Sequence, residues 1–168
     1  MPSCSKARNP RGTEITFTED NHKYVSIVNG KEISYVSGTG FVSKFFPEFD
    51  PTGEITKRCA KKEGLTVEAL KAKWSAKGRE SCRLGTRMHE TCEDVFLGNS
   101  FRNTPEDETE KKRFENAIAM SRKIKDRLDI IGVEKIVFDE QLQLAGTIDF
   151  LGKSKKDGSY IIIDHKSN

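Results

Sequence analysis

Apolar and polar residues alternate through the first third of the chain, in EITFT (14–18), KYVSIV (23–28) and KEISYV (31–36). A period of two puts successive side chains on opposite faces of a half-buried strand. Asn29-Gly30 stands between the last two runs, and both residues tolerate the positive φ of a type I′ turn, so a hairpin is predicted there. From about residue 50 the pattern turns helical in short pieces, with Gly64, Gly78 and Gly98 each at a place where a left-handed residue would end a helix. Asp50-Pro51 and Thr66 are the predicted helix starts. In the third piece Leu84, Met88, Thr91 or Cys92, and Val95 share one stripe, which should face the core. Thr104-Pro105-Glu106-Asp107 offers an N-cap, a proline at the first helical position and acids in the first turn. Phe114, Ala117, Ile118, Ser121, Ile124, Leu128 and Ile131 follow at helical spacing, predicting a long helix that runs to Gly132. Beyond it the period returns to two in EKIVFDE, QLQLAGTIDFL and YIIIDHKS, so three antiparallel strands are expected. The fold class is α+β.

At 168 residues the chain is long enough to bury a core without disulfides or structural metal. Hydrophobic residues are 35% and charged residues 33%, polar for a domain but not the composition of a disordered chain. No apolar run is long enough to span a membrane, and the N-terminus lacks the apolar stretch of a secretory signal. Cys4, Cys59, Cys82 and Cys92 have no metal-site spacing and read as reduced thiols, so an intracellular, reducing compartment is expected. Residues 1–12 read as a disordered basic arm. Residues 13–168 read as a single domain, with a β-hairpin and basic helical lead-in over 13–83 followed by 84–168.

The formal net charge of +3 conceals a pattern. Residues 55–83 carry nine basic side chains against three acidic ones, residues 84–110 are net acidic by five, and residues 111–127 are strongly basic again. Basic blocks flanking an acidic one suit a polyanion around a cation site, although charge runs are more often solvated helix faces.

The final hairpin carries the candidate chemistry. In YIIIDHK, Tyr160, Ile162, Asp164 and Lys166 share one face; on the preceding strand Ala145, Thr147 and Asp149 share another. A turn near Asp157-Gly158 should bring Asp149 close to Asp164, with Lys166 beside them. Two carboxylates hold a hard divalent cation, and a lysine can orient water or stabilise a charged transition state. The competing reading is an exposed ion pair at a strand end. Upstream, Gly85, His89 and Glu93 lie four residues apart on one helix face, where an imidazole and a carboxylate could join a metal.

In this order, GTRMHETCE (85–93), AGTID (145–149) and IIDHKSN (162–168) resemble the PD-(D/E)XK nuclease superfamily, most nearly its RecB-type exonucleases, which include the mitochondrial genome maintenance exonuclease and viral and phage relatives. The stretch FTEDNHKYVSIVNGKEISYVSGTGFVSKFFPEFD and Trp74 are similar to the lead-in of that subgroup. The resemblance implies a restriction-endonuclease-like core of helix and mixed sheet, and metal-dependent hydrolysis of DNA phosphodiesters. It implies His89, Asp149, Asp164 and the backbone carbonyl of Ile163 as ligands for Mg²⁺ or Mn²⁺, with Glu93 as a further candidate. Lys166 is the implied catalytic lysine, acting with Asp149 and Asp164. The cysteines that hold an iron–sulfur cluster in some relatives have no counterpart, so no cluster is expected. The basic residues expected on DNA are Lys57, Arg58, Lys61, Lys62, Lys73, Lys77, Arg79 and Arg83. Family members continue past the lysine strand with a further helix and strand, so the core is expected to be completed by a longer chain, another chain or a second copy at the open sheet edge. The rival readings are a nuclease-derived DNA-binding module that does not cleave and a protein-interaction module.

Overall fold

The computed structural model describes residues 4–166, which divide into two compact units, one of residues 4–47 and 123–164 and the other of residues 48–122 with His165 and Lys166.

The first unit is a mixed sheet with a short helix. Its strands are β1 (Cys4–Arg8), β2 (Glu14–Thr18), β3 (Lys23–Val28), β4 (Lys31–Ser37), β5 (Leu128–Asp139), β6 (Leu144–Ser154) and β7 (Tyr160–Ile163); α1 (Gly38–Ser43) follows β4. The path β1-β2-β3-β4-β6-β5 is antiparallel except at β4–β6, where Val36 and Ser37 pair in parallel with Leu144 and Ala145. Its two ends approach each other, and Asn9 Nδ2 donates to Glu140 Oε1 across them at 2.6 Å, so the six strands curl nearly into a barrel. The α+β class and a mixed sheet are therefore present. The N-terminal strands, expected as a separate lead-in, belong to the same sheet as the C-terminal ones.

Alternation explains the interior. Ile15, Tyr24, Tyr35, Ile136 and Ala145 form its buried core, flanked by Phe17, Ile33 and Phe138. Phe17 stacks on Tyr24 with ring centroids 4.5 Å apart, and Tyr35 meets Phe138 edge-on at 5.6 Å. The two tyrosine hydroxyls are not stranded: Tyr35 bonds Ser26 at 3.0 Å and Tyr24 bonds Thr147 at 3.1 Å. The β3–β4 hairpin turns at Asn29 (φ 51°) and Gly30 (φ 74°), as its sequence requires.

Four expectations change. Cys4–Arg8, expected to lie in a disordered arm, is a strand on β2; it has almost no apolar residue, but Lys6 and Arg8 pair with Glu14, and the ladder supplies the rest. Residues 1–3 of that arm lie outside the described residues. The long helix stops at Arg127 rather than Gly132: Leu128–Ile131 enter β5, and the register shifts between Ile130 and Gly132, so Gly132 marks a bulge and not a helix end. Gly78 ends nothing, because a helix runs straight through it. And YIIIDHKS is a strand only over Tyr160–Ile163; among the described residues β7 pairs with β6 alone, leaving Tyr160 71% and Ile162 64% exposed.

The second unit is helical: α2 (Glu54–Glu63), α3 (Val67–Leu97) and α4 (Glu108–Arg127), whose last turn belongs to the first unit. Gly53 rather than Asp50 is the N-cap of α2, and Gly64 (φ 66°) closes it. The Thr66 side chain caps α3 through Ala69 N at 3.1 Å, and Gly98 closes it. α4 starts later than predicted, where Asp107 Oδ1 accepts from Glu110 N at 2.7 Å, so Asp107 takes the cap expected of Thr104. The expected stripe on α3 is buried at Thr91, Cys92 and Val95 and half-buried at Leu84 and Met88.

Ser121 of α4 is fully buried, and its hydroxyl has no hydrogen-bond partner among the described residues. Such a group keeps its desolvation cost of about 1–3 kcal/mol. Ser121→Ala should therefore raise stability by about 1 kcal/mol, read as a higher urea midpoint at unchanged m-value. A lower midpoint would mean that the hydroxyl is bonded in solution.

Two buried acids anchor α3 and α4. Arg87 forks onto Glu110, with Nε to Oε1 at 2.7 Å and Nη2 to Oε2 at 3.2 Å, and its guanidinium also lies over the Phe114 ring. Fully buried Asp94 takes Arg102 N and Nε at 2.9 Å each, fixing the loop after α3. The Arg87 fork, followed by the Glu106 N–H, holds the Glu110 carboxyl below its ordinary value of 4.5. Because the folded value is the lower one, this contribution is complete above the ordinary value and vanishes as pH falls through the folded one. Tm should therefore fall as pH drops below about 4.5, and Glu110→Gln should lower Tm at pH 7 while flattening that fall. Parallel Tm profiles for the two proteins would assign the acid sensitivity elsewhere.

Candidate metal centre

The site is best built from β6, because every strand beside it is placed by that strand's register. β5 covers one edge along its whole length. The other edge is shared: β4 pairs only at Leu144 and Ala145, and β7 only from Phe150 to Lys153. Residues 146–149 lie between those two pairings, which leaves a notch in the sheet beside GTID. A Cβ on Gly146 would meet nothing within 4 Å, so the strand is uncrowded there on the face opposite Asp149.

Two acidic residues face each other beside this notch. Val133 pairs with Phe150 and Lys135 with Ile148, so Glu134 sits opposite Asp149. Phe150 pairs with Ile163, the last residue of β7, and exposed Asp164 follows just beyond that strand end. Directly opposed residues share a face, so the acids of β5 and β6 lie on one side of the sheet. It is the side of Ile136 and Ala145, so the pair borders the end of the barrel core. Carboxylate oxygens of Glu134 and Asp149 lie within 4.8 Å of each other. Asp149 is half-buried, and Glu134 is exposed. Oxygen donors at that spacing suit one hard cation, whose ligands stand about 2.0–2.6 Å from it.

Sequence reading missed Glu134. Its backbone is a second departure, with φ at +46°, uncommon for a residue that carries a side chain.

The other expected site residues fall in the helical unit. His89, half-buried on α3, lies 2.9 Å through Nε2 from the backbone oxygen of His165. A carbonyl only accepts, so Nε2 donates its proton in this contact. The His165 ring stands edge-on to His89 at 6.0 Å and stacks on Phe96 at 5.8 Å, which seats residue 165 on α3. Lys166, exposed, lines a cavity of about 230 Å³ with His89, Cys92, Arg113, Asn116 and His165. Glu93, a further ligand candidate, is engaged by Arg102.

The chain matches no protein-family model, no curated protein and no solved structure.

The expected DNA-contacting residues all lie on α2 and α3. Arg58, Lys61, Lys62 and Lys77 are exposed. Lys57 pairs with Glu54, Lys73 with Glu63, and Arg83 with Glu80 and Glu106, while Arg79 bonds the Ser75 hydroxyl. These are surface pairs, which yield readily to a stronger anion. Among the described residues no helix is long and apolar enough to cross a membrane.

Proposed function

We propose that this chain is a divalent-metal-dependent DNA nuclease, with exonuclease action as the first expectation. The observation that carries the reading is the pair of Glu134 and Asp149 on opposed positions of β5 and β6, with Asp164 just beyond the end of neighbouring β7 and Lys166 two residues further on. Asp149 and Asp164 come from the ordered motifs in the sequence, and the β5–β6 register adds Glu134 to them.

In this reading Asp149 and Asp164 hold Mg²⁺ or Mn²⁺, assisted by the Ile163 carbonyl and, as its own contribution, Glu134. His89 adds an imidazole nitrogen, a donor that favours Mn²⁺ over Mg²⁺. The bound cation supplies an acidified water and neutralises phosphate charge. Lys166, a compact ammonium, orients the attacking water or meets charge developing on the phosphate.

Hydrolysis of end-labelled DNA in Mg²⁺, Mn²⁺ and EDTA tests the reading. Cleavage in the first two and none in EDTA is the expected result, and Lys166→Ala should remove it while the protein still binds DNA. DNA binding without cleavage under any metal would instead favour the binding-module reading.

A further inference from the structure

Along α3, residues 71–82 are exposed on every side except at Trp74, a stretch of about 18 Å. A helical segment that buries no face gains nothing from packing, so these turns are carried by the packed turns on either side and remain available to a partner. They are basic, with Lys71, Lys73, Lys77 and Arg79 against Glu80. Trp74 is flanked at three residues' distance by Lys71 and Lys77, which are its neighbours on the helix surface. The packing of α2 on α3 is closed elsewhere, by Thr56, Ala60 and Leu70, all buried.

Above Leu70, Trp74 meets Phe49 with ring centroids 6.0 Å apart and planes tilted by 60°. Phe49 is 59% exposed, so this aromatic pair presents open ring surface instead of sealing the helix contact. α2 adds exposed Arg58, Lys61 and Lys62 in the same unit.

We infer that Phe49 and Trp74, with Lys71 and Lys77 beside the tryptophan on α3, form a stacking subsite for unpaired nucleobases and so select single-stranded DNA. An aromatic ring flanked by cations suits a base with phosphates on either side, and every base offers a face to it. A duplex hides those faces in its own stack, so it gains only the phosphate contacts. The choice of DNA as the polymer rests on the proposed nuclease function; the stacking chemistry does not.

Trp74 is the chain's one tryptophan, so its fluorescence reports on the subsite directly. Titration with a dT12 oligonucleotide in EDTA should quench it, whereas a 12-bp duplex should bind more weakly and quench less. Phe49→Leu should weaken dT12 binding about tenfold, and Phe49→Tyr should restore it. Lys71→Gln and Lys77→Gln should each reduce the salt-dependence slope by about 0.7. Circular dichroism of each variant guards against loss of the helices. Equal binding and quenching by the duplex, or Phe49→Leu binding as the parent does, overturns the subsite even if the protein cleaves DNA. Quenching and strand selection without cleavage leave the subsite standing and remove the nuclease reading.

Discussion

Phe150→Ala should destabilise the sheet unit by about 3–5 kcal/mol, the range for removing an aromatic ring from a packed core. Phe150 is fully buried at the middle of β6, paired with Val133 on one side and Ile163 on the other. Its environment is fitted as well as apolar. A Cβ on Gly152 would stand 2.8 Å and 3.1 Å from two atoms of the Phe150 ring and 3.1 Å from Leu128 Cβ. The ring is hemmed in, and Leu128 Cβ is fixed to the β5 backbone, so neither side yields cheaply. Gly152→Ala should cost about 1–3 kcal/mol by overpacking. Phe150→Leu shortens the side chain at the point of conflict. The double variant Phe150→Leu/Gly152→Ala should then be more stable than the two single losses added together, because the residues share one contact. Urea unfolding of the four proteins measures this coupling, and strict additivity would show that Gly152 is needed for its backbone and not for the space it leaves.

Gly152 also shows what the sequence could and could not disclose. Strands β5 and β6 were legible because their alternation survives in EKIVFDE and GTIDF, β7 because YIII is a short β-branched run after a Gly turn, and the β3–β4 hairpin because Asn29-Gly30 marks its turn. The end of α4 was not. Leu128 and Ile131 continue its helical spacing, but they fit β5 equally well, and the ladder with β6 decided between the two. Gly78 read as a stop but is none, because an isolated glycine costs a helix only about 1 kcal/mol, too little to break one that packs at both ends. β1 has no apolar pattern to find.

Near the candidate site, the hairpin that carries Asp149 and leads to Asp164 was legible because Gly158 marks its turn. Glu134 was not, for a matching reason. Finding it requires the β5–β6 register, which depends on the turn after Asp139. That turn is closed by Gln143 at φ 50° and by the Asp139 side chain bonding Gln141 N and Leu142 N, with no glycine or Asn-Gly to mark it. A one-residue slip there would have moved Glu134 to the other face.

Glu134 therefore supplies the most discriminating test of the proposed site. Asp149→Asn should lower metal-dependent cleavage by about three orders of magnitude or more, since a bound cation is worth several kcal/mol of transition-state stabilisation and each 1.36 kcal/mol is tenfold in rate. Lost activity alone does not show that a ligand has gone, so a second measurement on the sheet unit is needed. A cation bound only by the folded protein adds about 2.7 kcal/mol at a hundred times its Kd, which should raise the parent's Tm on titration with Mn²⁺. With the Glu134 and Asp149 oxygens within 4.8 Å, removing either donor should weaken that response. Asp149→Asn should abolish it, and Glu134→Gln should move it to higher Mn²⁺ concentration, with a parallel rise in the metal needed for cleavage. If Glu134→Gln shifts neither curve, Glu134 is a bystander of the strand register and the cation is held by the other ligands. If the parent shows no Tm response to Mn²⁺ or Mg²⁺ and no cleavage, the acidic pair is not a metal site.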